Sequence, residues 1–497
     1  MRLSARNREL FGLIPVTLIV TAGFTAVLIT QGEQDIEASS LLYGVVFLAA
    51  CLIAHFFIRW RLPDADPYMF PLAALLSAFG LVILYRMDDQ LAEGQALVFG
   101  LSLVLFCLTV FFLRDHRALE RYRYVIALGG ILLLLLPLAP VIGEQVNGAY
   151  LNINLGIVRF QPAELAKLAI IIFLASYLND TREVLLGGGI APPPLRRSLP
   201  FAVGCLVLVA LLHLVFELPL WPSALAAVFL AVGAALARER PSLKHFGPLL
   251  LIWGLAMLML IVIRDLGSSL MFFGAFLVIL YVATARLSFV ALGVTMFLGG
   301  ATLLANTLTH VQDRVEIWLD PFARDAPEGA GQISQSLFAQ ADGGLFGVGF
   351  GESLLKLSGP FATPGCETPF PNCNSILPAP HTDSIYAVIV NEVGLFGAAA
   401  VVFVALLFAA RGFKAAMLAE DGFSKLLAVG LSSVFALQVF VIVGGVINVI
   451  PLTGVTLPLV SFGGSSLVAN FLLLALLLIV SDHARRDAER RRVGGVV

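Results

Sequence analysis

The chain has 497 residues, of which 59% are hydrophobic and only 13% charged, with a mean hydropathy of +0.94. A soluble domain is nearer half apolar and about a quarter charged, so the composition excludes an ordinary soluble protein and calls for many membrane-spanning helices of about 20 residues each. The net charge of −2 gives no pull toward nucleic acid.

Taken in chain order, the apolar runs predict fourteen spans: 11–30, 41–58, 70–86, 96–113, 124–142, 163–178, 199–217, 221–238, 247–264, 268–285, 288–309, 384–410, 424–450 and 459–481. Backbone polar groups in lipid must pair within the segment, so the spans are helices and the fold class is all-α, a polytopic integral membrane protein. The first run is long for a signal-peptide core and no small-residue cleavage site follows it, so it reads as a retained span.

Short basic connections set orientation. MRLSARNR, RWRLPD, RDHRALERYR, RERPSLKH, RGFKAAMLAEDGFSK and the tail DHARRDAERRR fall on one side, at every second loop. QGEQDIEASS, MDDQLAEGQ, GEQVNGAYLN and ELPLW, which are poor in base, fall on the other. Both termini are therefore expected in the cytoplasm. Arg159, Arg264, Arg314 and Arg324 break the pattern by lying at or near the outer face, which points to an anionic ligand there. The basic tail at 485–492 reads as an orientation anchor with a contact to anionic membrane lipid.

One long polar stretch, roughly Thr309 to Asp383, interrupts the apolar pattern on the outer side. Loops of this length are uncommon unless functional or disordered, and its apolar residues among glycines are not a disordered composition. Within it, Ile333–Phe338 has the pattern of an amphipathic piece for the membrane interface. Cys366 and Cys373 flank ETPFPN and form a candidate disulfide outside the cytoplasm, with a free pair or a metal contact as the alternatives. Cys51, Cys107 and Cys205 lie in apolar runs and read as buried small residues.

Several polar constellations have two readings each. Glu164 and Lys167, three apart in QPAELAK, share a helix face: they form either a structural ion pair at a helix start or a pair shaping a polar cavity. In Arg264-Asp265-Leu266-Gly267, Asp265 is suited to cap a helix, and a helix start beside Arg264 also suits a phosphate. Pro451 to Ser466 carries two prolines and three glycines, which implies a broken backbone entering the last span: a packing turn, or a wall donating N–H groups near Ser465 and Ser466. His55 and His213 read as satisfied core residues. Any acid in the long loop can act as a general base where geometry allows, although solvation alone explains most loop aspartates.

Together NGA…QPAELAK, RDLGSS, RDAPEGAGQISQSL, HTDSIYAVIVNEVGLFG and INVIPLTGVTLPLVSFGGSS resemble, in order, the signature segments of the SEDS family, whose members are the RodA, FtsW and SpoVE proteins, with the RodA branch the nearer. The resemblance covers 67–482. It implies a ten-helix core carrying the loop 310–383, preceded by two additional N-terminal helices in 1–66, interrupted by an inserted pair at about 199–238, and followed by a basic cytoplasmic tail, 483–497.

The resemblance further implies a peptidoglycan glycosyltransferase of the bacterial cytoplasmic membrane. Such an enzyme polymerises lipid II at the outer face, in an elongation or division complex with a class B penicillin-binding protein. The family's essential aspartate lies ten residues before the Gln of a QSL-like segment, and counting back from Gln335 gives Asp325. This chain has Asp325-Ala326-Pro327 where the family usually has Asp-Pro, and Asp320, in Asp320-Pro321, is the alternative. Arg159, Arg264, Arg314, Arg324, Ser465 and Ser466 are candidates for binding the pyrophosphate, and a divalent cation (Mg or Mn) is a candidate helper; no organic cofactor is implied. Two other functions fit many spans and a broken last helix: a lipid II flippase, and a non-catalytic scaffold for the penicillin-binding partner.

Overall fold

The computed structural model describes residues 5–31, 36–113, 115–140, 142–146, 149–154, 159–186, 254, 262–305, 308–323, 330–350, 352–353 and 377–494. Apolar runs of this length fold as helices because no water is present in the bilayer core to satisfy an open backbone. Among the described residues nine helices are long and apolar enough to cross a membrane. They belong to α1 (Ala5–Gln31), α2 (Ile36–Arg61), α3 (Met69–Met87), α4 (Asp89–Phe112), α7 (Pro162–Leu186), α8 (Leu266–Thr284), α12 (Ile385–Leu418), α13 (Gly422–Val446) and α14 (Gly464–Gly494).

Two shorter apolar helices, α6 (Arg123–Leu135) and α9 (Leu287–Ala305), occupy two more of the fourteen expected spans. The expected spans at 199–217 and 221–238 and nearly all of 247–264 lie outside the described residues. A four-residue helix, α5 (Ala118–Arg121), and two loop helices, α10 (Thr309–Leu319) and α11 (Ala330–Gly343), complete the α-helices among the described residues.

The bundle has a centre and a rim. The apolar windows of α13 and α14 are 78% and 83% buried, whereas those of α1, α2 and α4 are each 33% and that of α12 is 28%. The first group therefore forms the core and the second shows most of its surface to lipid. Close approach needs small residues where lipid gives no hydrophobic drive. Gly80 of α3 is such a point, since a Cβ there would stand 2.4 Å from the Val460 carbonyl oxygen.

Contacts sort the helix ends into two faces. At one, Arg6 donates to the Ala65 carbonyl, the Asp64 N–H donates to Asp482 at 2.9 Å, and Asp66 receives Arg411 at 3.1 Å and Arg485. The start of α1, the α2–α3 turn and the ends of α12 and α14 thus share this end, so the first and last described residues do too. The other end gathers the described parts of the long polar stretch, the starts of α7, α8 and α14, and a small sheet.

That sheet departs from the all-helical expectation. Strands β1 (Gly143–Val146), β2 (Ala149–Asn154) and β3 (Arg159–Phe160) pair antiparallel in that order, with Glu144 opposite Asn152 and Asn154 opposite Arg159. The Asn-Gly dipeptide at 147–148 is a strong hairpin signal, and it separates the two longer strands.

A second departure is a break inside α12. Gly394 has φ +72, outside the helical region, and the chain on either side is helical. The freed backbone groups are answered from 344–349: the Val348 N–H donates to Asn391 O at 2.9 Å, Gly349 to Glu392 O at 3.2 Å, Leu395 to Gly344 O at 2.9 Å and Phe396 to Leu345 O at 3.2 Å. Such a break at membrane depth persists only when other protein backbone closes it. No side chain fits between the two segments, because a Cβ on Gly394 would stand 2.3 Å from Leu345 O.

Candidate active site

The long stretch is built on two mounts. Helix α10 hangs on the turn after α13: Arg314 Nη1 donates to Leu452 O at 2.6 Å, Trp318 Nε1 to Asn448 O at 3.2 Å, and Asn448 Nδ2 back to Trp318 O at 3.1 Å. Helix α11 uses the same turn and the start of α12: Gln340 Nε2 donates to Val446 O at 3.1 Å, Asn391 Nδ2 to Ala339 O at 2.7 Å, and Gln332 Nε2 to Ser384 Oγ at 3.2 Å. Phe322 and Phe338 bring the two helices together at a ring separation of 5.5 Å. Residues 324–329, including Arg324 and Asp325, lie between these mounts and outside the described residues, as do Cys366 and Cys373. Asp320 ends α10, exposed, with its carboxylate accepting from the Phe322 N–H at 3.3 Å. The amphipathic Ile333–Phe338 piece is helical, with Ile333 buried and Phe338 exposed.

Inside the bundle, Lys167 Nζ lies 2.5 Å from Glu164 and donates to Gln438 Oε1 at 2.8 Å. Gln438 Nε2 donates onward to Thr456 O at 3.0 Å, and Thr456 Oγ1 to Ser466 Oγ at 3.0 Å. A buried ammonium requires such partners, since stripping its water without replacement is very unfavourable. The structure thus brings Glu164 and Lys167 together with the broken 451–466 segment. Residues 451–463 are not helical, and Leu452, Val455, Leu457 and Val460 are buried. Ser465 is engaged locally: its Oγ accepts from the Gln161 N–H at 2.8 Å, at the residue before α7.

The remaining basic candidates are dispersed. Arg159 on β3 is exposed and 3.5 Å from Glu144. Arg264 is also exposed and adopts φ +64 immediately before α8. Asp265 caps that helix, accepting from the Ser268 N–H at 2.9 Å and from Ser268 Oγ at 2.5 Å, and burial pushes its carboxyl upward against those hydrogen bonds. Arg314 alone among the described arginine candidates faces an acidic group beside the mounts. That group is Asp383, half-buried just before α12 and hydrogen-bonded to Thr382 and Gln332. Packing by surrounding protein pushes the Asp383 carboxyl up to about 6, opposed by Arg314.

Sequence reasoning had not singled out Asp383, although its stretch, HTDSIY, was part of the resemblance. Gln438 and the buried Arg86–Glu392–Ser353 cluster were also missed; there Arg86 Nε is 3.1 Å from Glu392, and Ser353 Oγ donates to Glu392 at 2.6 Å. Among the described residues no three carboxylate, thiol or imidazole groups converge in a metal-holding arrangement.

The family model for cell cycle proteins of the FtsW, RodA and SpoVE type matches residues 67–229 and 218–486. The peptidoglycan glycosyltransferase RodA of Mycobacterium tuberculosis is 35% identical over 500 residues, covering 98% of this chain and 92% of that protein. Its counterpart in Mycobacterium leprae is 33% identical over 496 residues, with the same coverage. Stage V sporulation protein E of Bacillus subtilis is 29% identical, covering 81% of this chain and 90% of that one. Among solved structures, one described as the structural coordination of polymerization and crosslinking by a peptidoglycan synthase complex aligns with a TM-score of 0.59 and 25% identity, over 84% of this chain and 98% of the other. With a family match across the helical core and RodA relatives aligned almost end to end, this chain belongs to the FtsW/RodA/SpoVE family.

Proposed function

We propose that the protein is a peptidoglycan glycosyltransferase that polymerises lipid II at the outer face of the cytoplasmic membrane, with Asp325 as general base. The observation that carries the site is that the two helices flanking 324–329 in sequence, α10 and α11, are both mounted on the 446–452 segment, beside Asp383. Alignment at 35% identity over 98% of this chain with proteins named peptidoglycan glycosyltransferase RodA supports the reaction and favours a role in elongation over division.

In the reaction, the acceptor's GlcNAc 4-hydroxyl attacks the anomeric carbon of the donor's MurNAc. The new C–O bond forms as the bond to undecaprenyl pyrophosphate breaks, and the electron pair leaves on the phosphate oxygen. The hydroxyl proton passes to the Asp325 carboxylate, because an alcohol is a poor nucleophile until a base takes its proton. Arg314 stabilises the charge that builds on the leaving pyrophosphate. The Glu164–Lys167–Gln438 network lies behind the broken segment and fixes its backbone.

A class B penicillin-binding protein is the proposed partner, supported by the fold-level match to a synthase complex that coordinates polymerisation with crosslinking. Cytoplasmic placement of both termini is supported by the arginine-rich end on which they converge. Labelled lipid II given to the purified protein with its partner tests the whole reading. Glycan strands should form, and Asp325→Asn should abolish them while Asp320→Asn leaves them. Lipid II translocation without polymer would replace the proposal with a flippase, and wild-type polymer from Asp325→Asn would remove the assigned base. Chelation in the same assay, followed by return of Mg or Mn, tests the divalent cation.

A further inference from the structure

One buried charge cluster takes no part in the chemistry above. Arg86, at the outer end of α3, has its Nε 3.1 Å from Glu392 Oε1, and its Nη2 donates to the Ser353 carbonyl oxygen at 2.9 Å. Ser353 Oγ donates to the same Glu392 oxygen at 2.6 Å. The Glu392 side chain is wholly buried and that of Arg86 is 15% exposed. Two apolar side chains of equal volume would hold this place about as stably, because desolvating an ion pair offsets its attraction. What the guanidinium adds is direction: its planar fork reaches a side chain of α12 and the backbone beyond 344–349 at once.

Those contacts lie at the end of the bed on which α11 rests. Along the first half of α12, Ser384 Oγ accepts from Gln332 at 3.2 Å and Asn391 Nδ2 donates to Ala339 O at 2.7 Å. Gly343 and Gly347 approach the backbone of Val390 to Glu392 so closely that no Cβ fits at either position. Val348 and Gly349 then donate to the carbonyls of Asn391 and Glu392. The helix that follows 324–329 is thus laid along 384–392, and Glu392 meets Arg86 at the far end. Helix α3 in turn packs on the broken segment, at Gly80 against Val460 O. Arg86 therefore bridges two halves of the site: the bed of α11 and the helix behind the 451–466 wall.

We propose that Arg86 and Glu392, joined through Ser353, are positioning residues for glycosyl transfer, which fix α11, and with it Asp325, against the broken segment. This inference rests on the polymerase reading and on Asp325 as the base. The three residues act through α11 rather than on the substrate. Their effect therefore falls on the chemical step and not on the binding of lipid II, since a displacement of about 1 Å at the reacting groups costs about 10²-fold in rate.

The test is polymerisation of labelled lipid II by the purified full chain with its partner, with kcat expressed per molecule that binds lipid II, so that misfolded protein does not count. Arg86→Met combined with Glu392→Met removes both charges at similar volume and strands neither. The double variant should keep the wild-type melting temperature in detergent and the wild-type KM, and lose about 10²-fold in kcat. Arg86→Lys keeps the charge without the fork and should lose less, and Ser353→Ala should lose several-fold. Wild-type kcat from the folded double variant overturns the inference, as does a rise in KM with kcat unchanged. Where the double variant does not fold, Arg86→Lys and Ser353→Ala decide, and wild-type kcat from both overturns the inference. No polymer from wild type, or full activity of Asp325→Asn, strikes the underlying reading instead.

Discussion

Buried charge is handled differently at the two ends of the bundle. At the end holding both termini, Asp66 is met by Arg411 and Arg485 and also receives Arg411's stacking partner, Tyr68, through its N–H at 3.0 Å. Nearby, Glu9 is met by both Arg6 and His55, the latter at 2.9 Å. Each of these two acids is shared between two basic groups, at least one of them from a distant segment. At the outer end Glu164 and Lys167 pair within one helical turn, while Asp383 feels Arg314 on one side and a second acid, Asp265, on the other. Asp66 and Glu9 thus each have two basic partners where the task is cohesion, whereas Asp383 and Asp265 lie close together at the end where an anionic ligand is expected.

The largest effect that sharpens this contrast is at the outer end: Asp325→Asn should lower polymerisation by about 10²–10⁴-fold, the usual worth of a general base, with thermal stability unchanged. Next comes Asp66→Ala, which strands two arginines. It should cost about 3–5 kcal/mol, the range for breaking a buried pair, seen as a large fall in melting temperature in detergent. Lys167→Met is the decisive counterpart; polymerisation should fall further than stability does. A loss of stability equal to that of Asp66→Ala would erase the difference between the ends.

A pH effect belongs to the terminal end. His116 is buried against Phe423 and His483, hydrogen-bonded to Ser424, and desolvation with the nearby His483 pushes it down to about 4. Its lowered value means the unfolded chain takes up a proton near pH 6.5 while the folded chain does not. Stability from this group is thus full above 6.5 and is lost as pH falls toward 4, by at most about 3 kcal/mol. Melting curves of His116→Gln should lack that acid slope. Smallest is Asn448→Ala, which frees one side of the α10 mount; kcat should drop several-fold, about 1 kcal/mol for a lost hydrogen bond, with KM little changed.

The spans were legible because about 20 apolar residues in a row have few other uses. Local polar chemistry was legible too: Asp265 caps its helix, Glu164 and Lys167 pair at three-residue spacing, and His55 is satisfied, here by Glu9. What stayed hidden depends on chain brought from afar. Gly394 sits in an apolar run and reads as helix; its break holds only because 344–349 supplies carbonyls and amides. Asp383 reads as one more polar residue before a span until Arg314 and Gln332 arrive beside it. The sheet was missed for another reason, since strands of 4, 6 and 2 residues are too short to show alternation.

The seam between 344–349 and the two halves of α12 has a mechanical meaning. Four backbone hydrogen bonds cross it, and opening it would leave bare amides and carbonyls at membrane depth. The seam is therefore a fixed hinge pin. Because its bonds reach Asn391 and Glu392 on one side of Gly394 and Leu395 and Phe396 on the other, the end of α11 and both halves of α12 are tied into one unit.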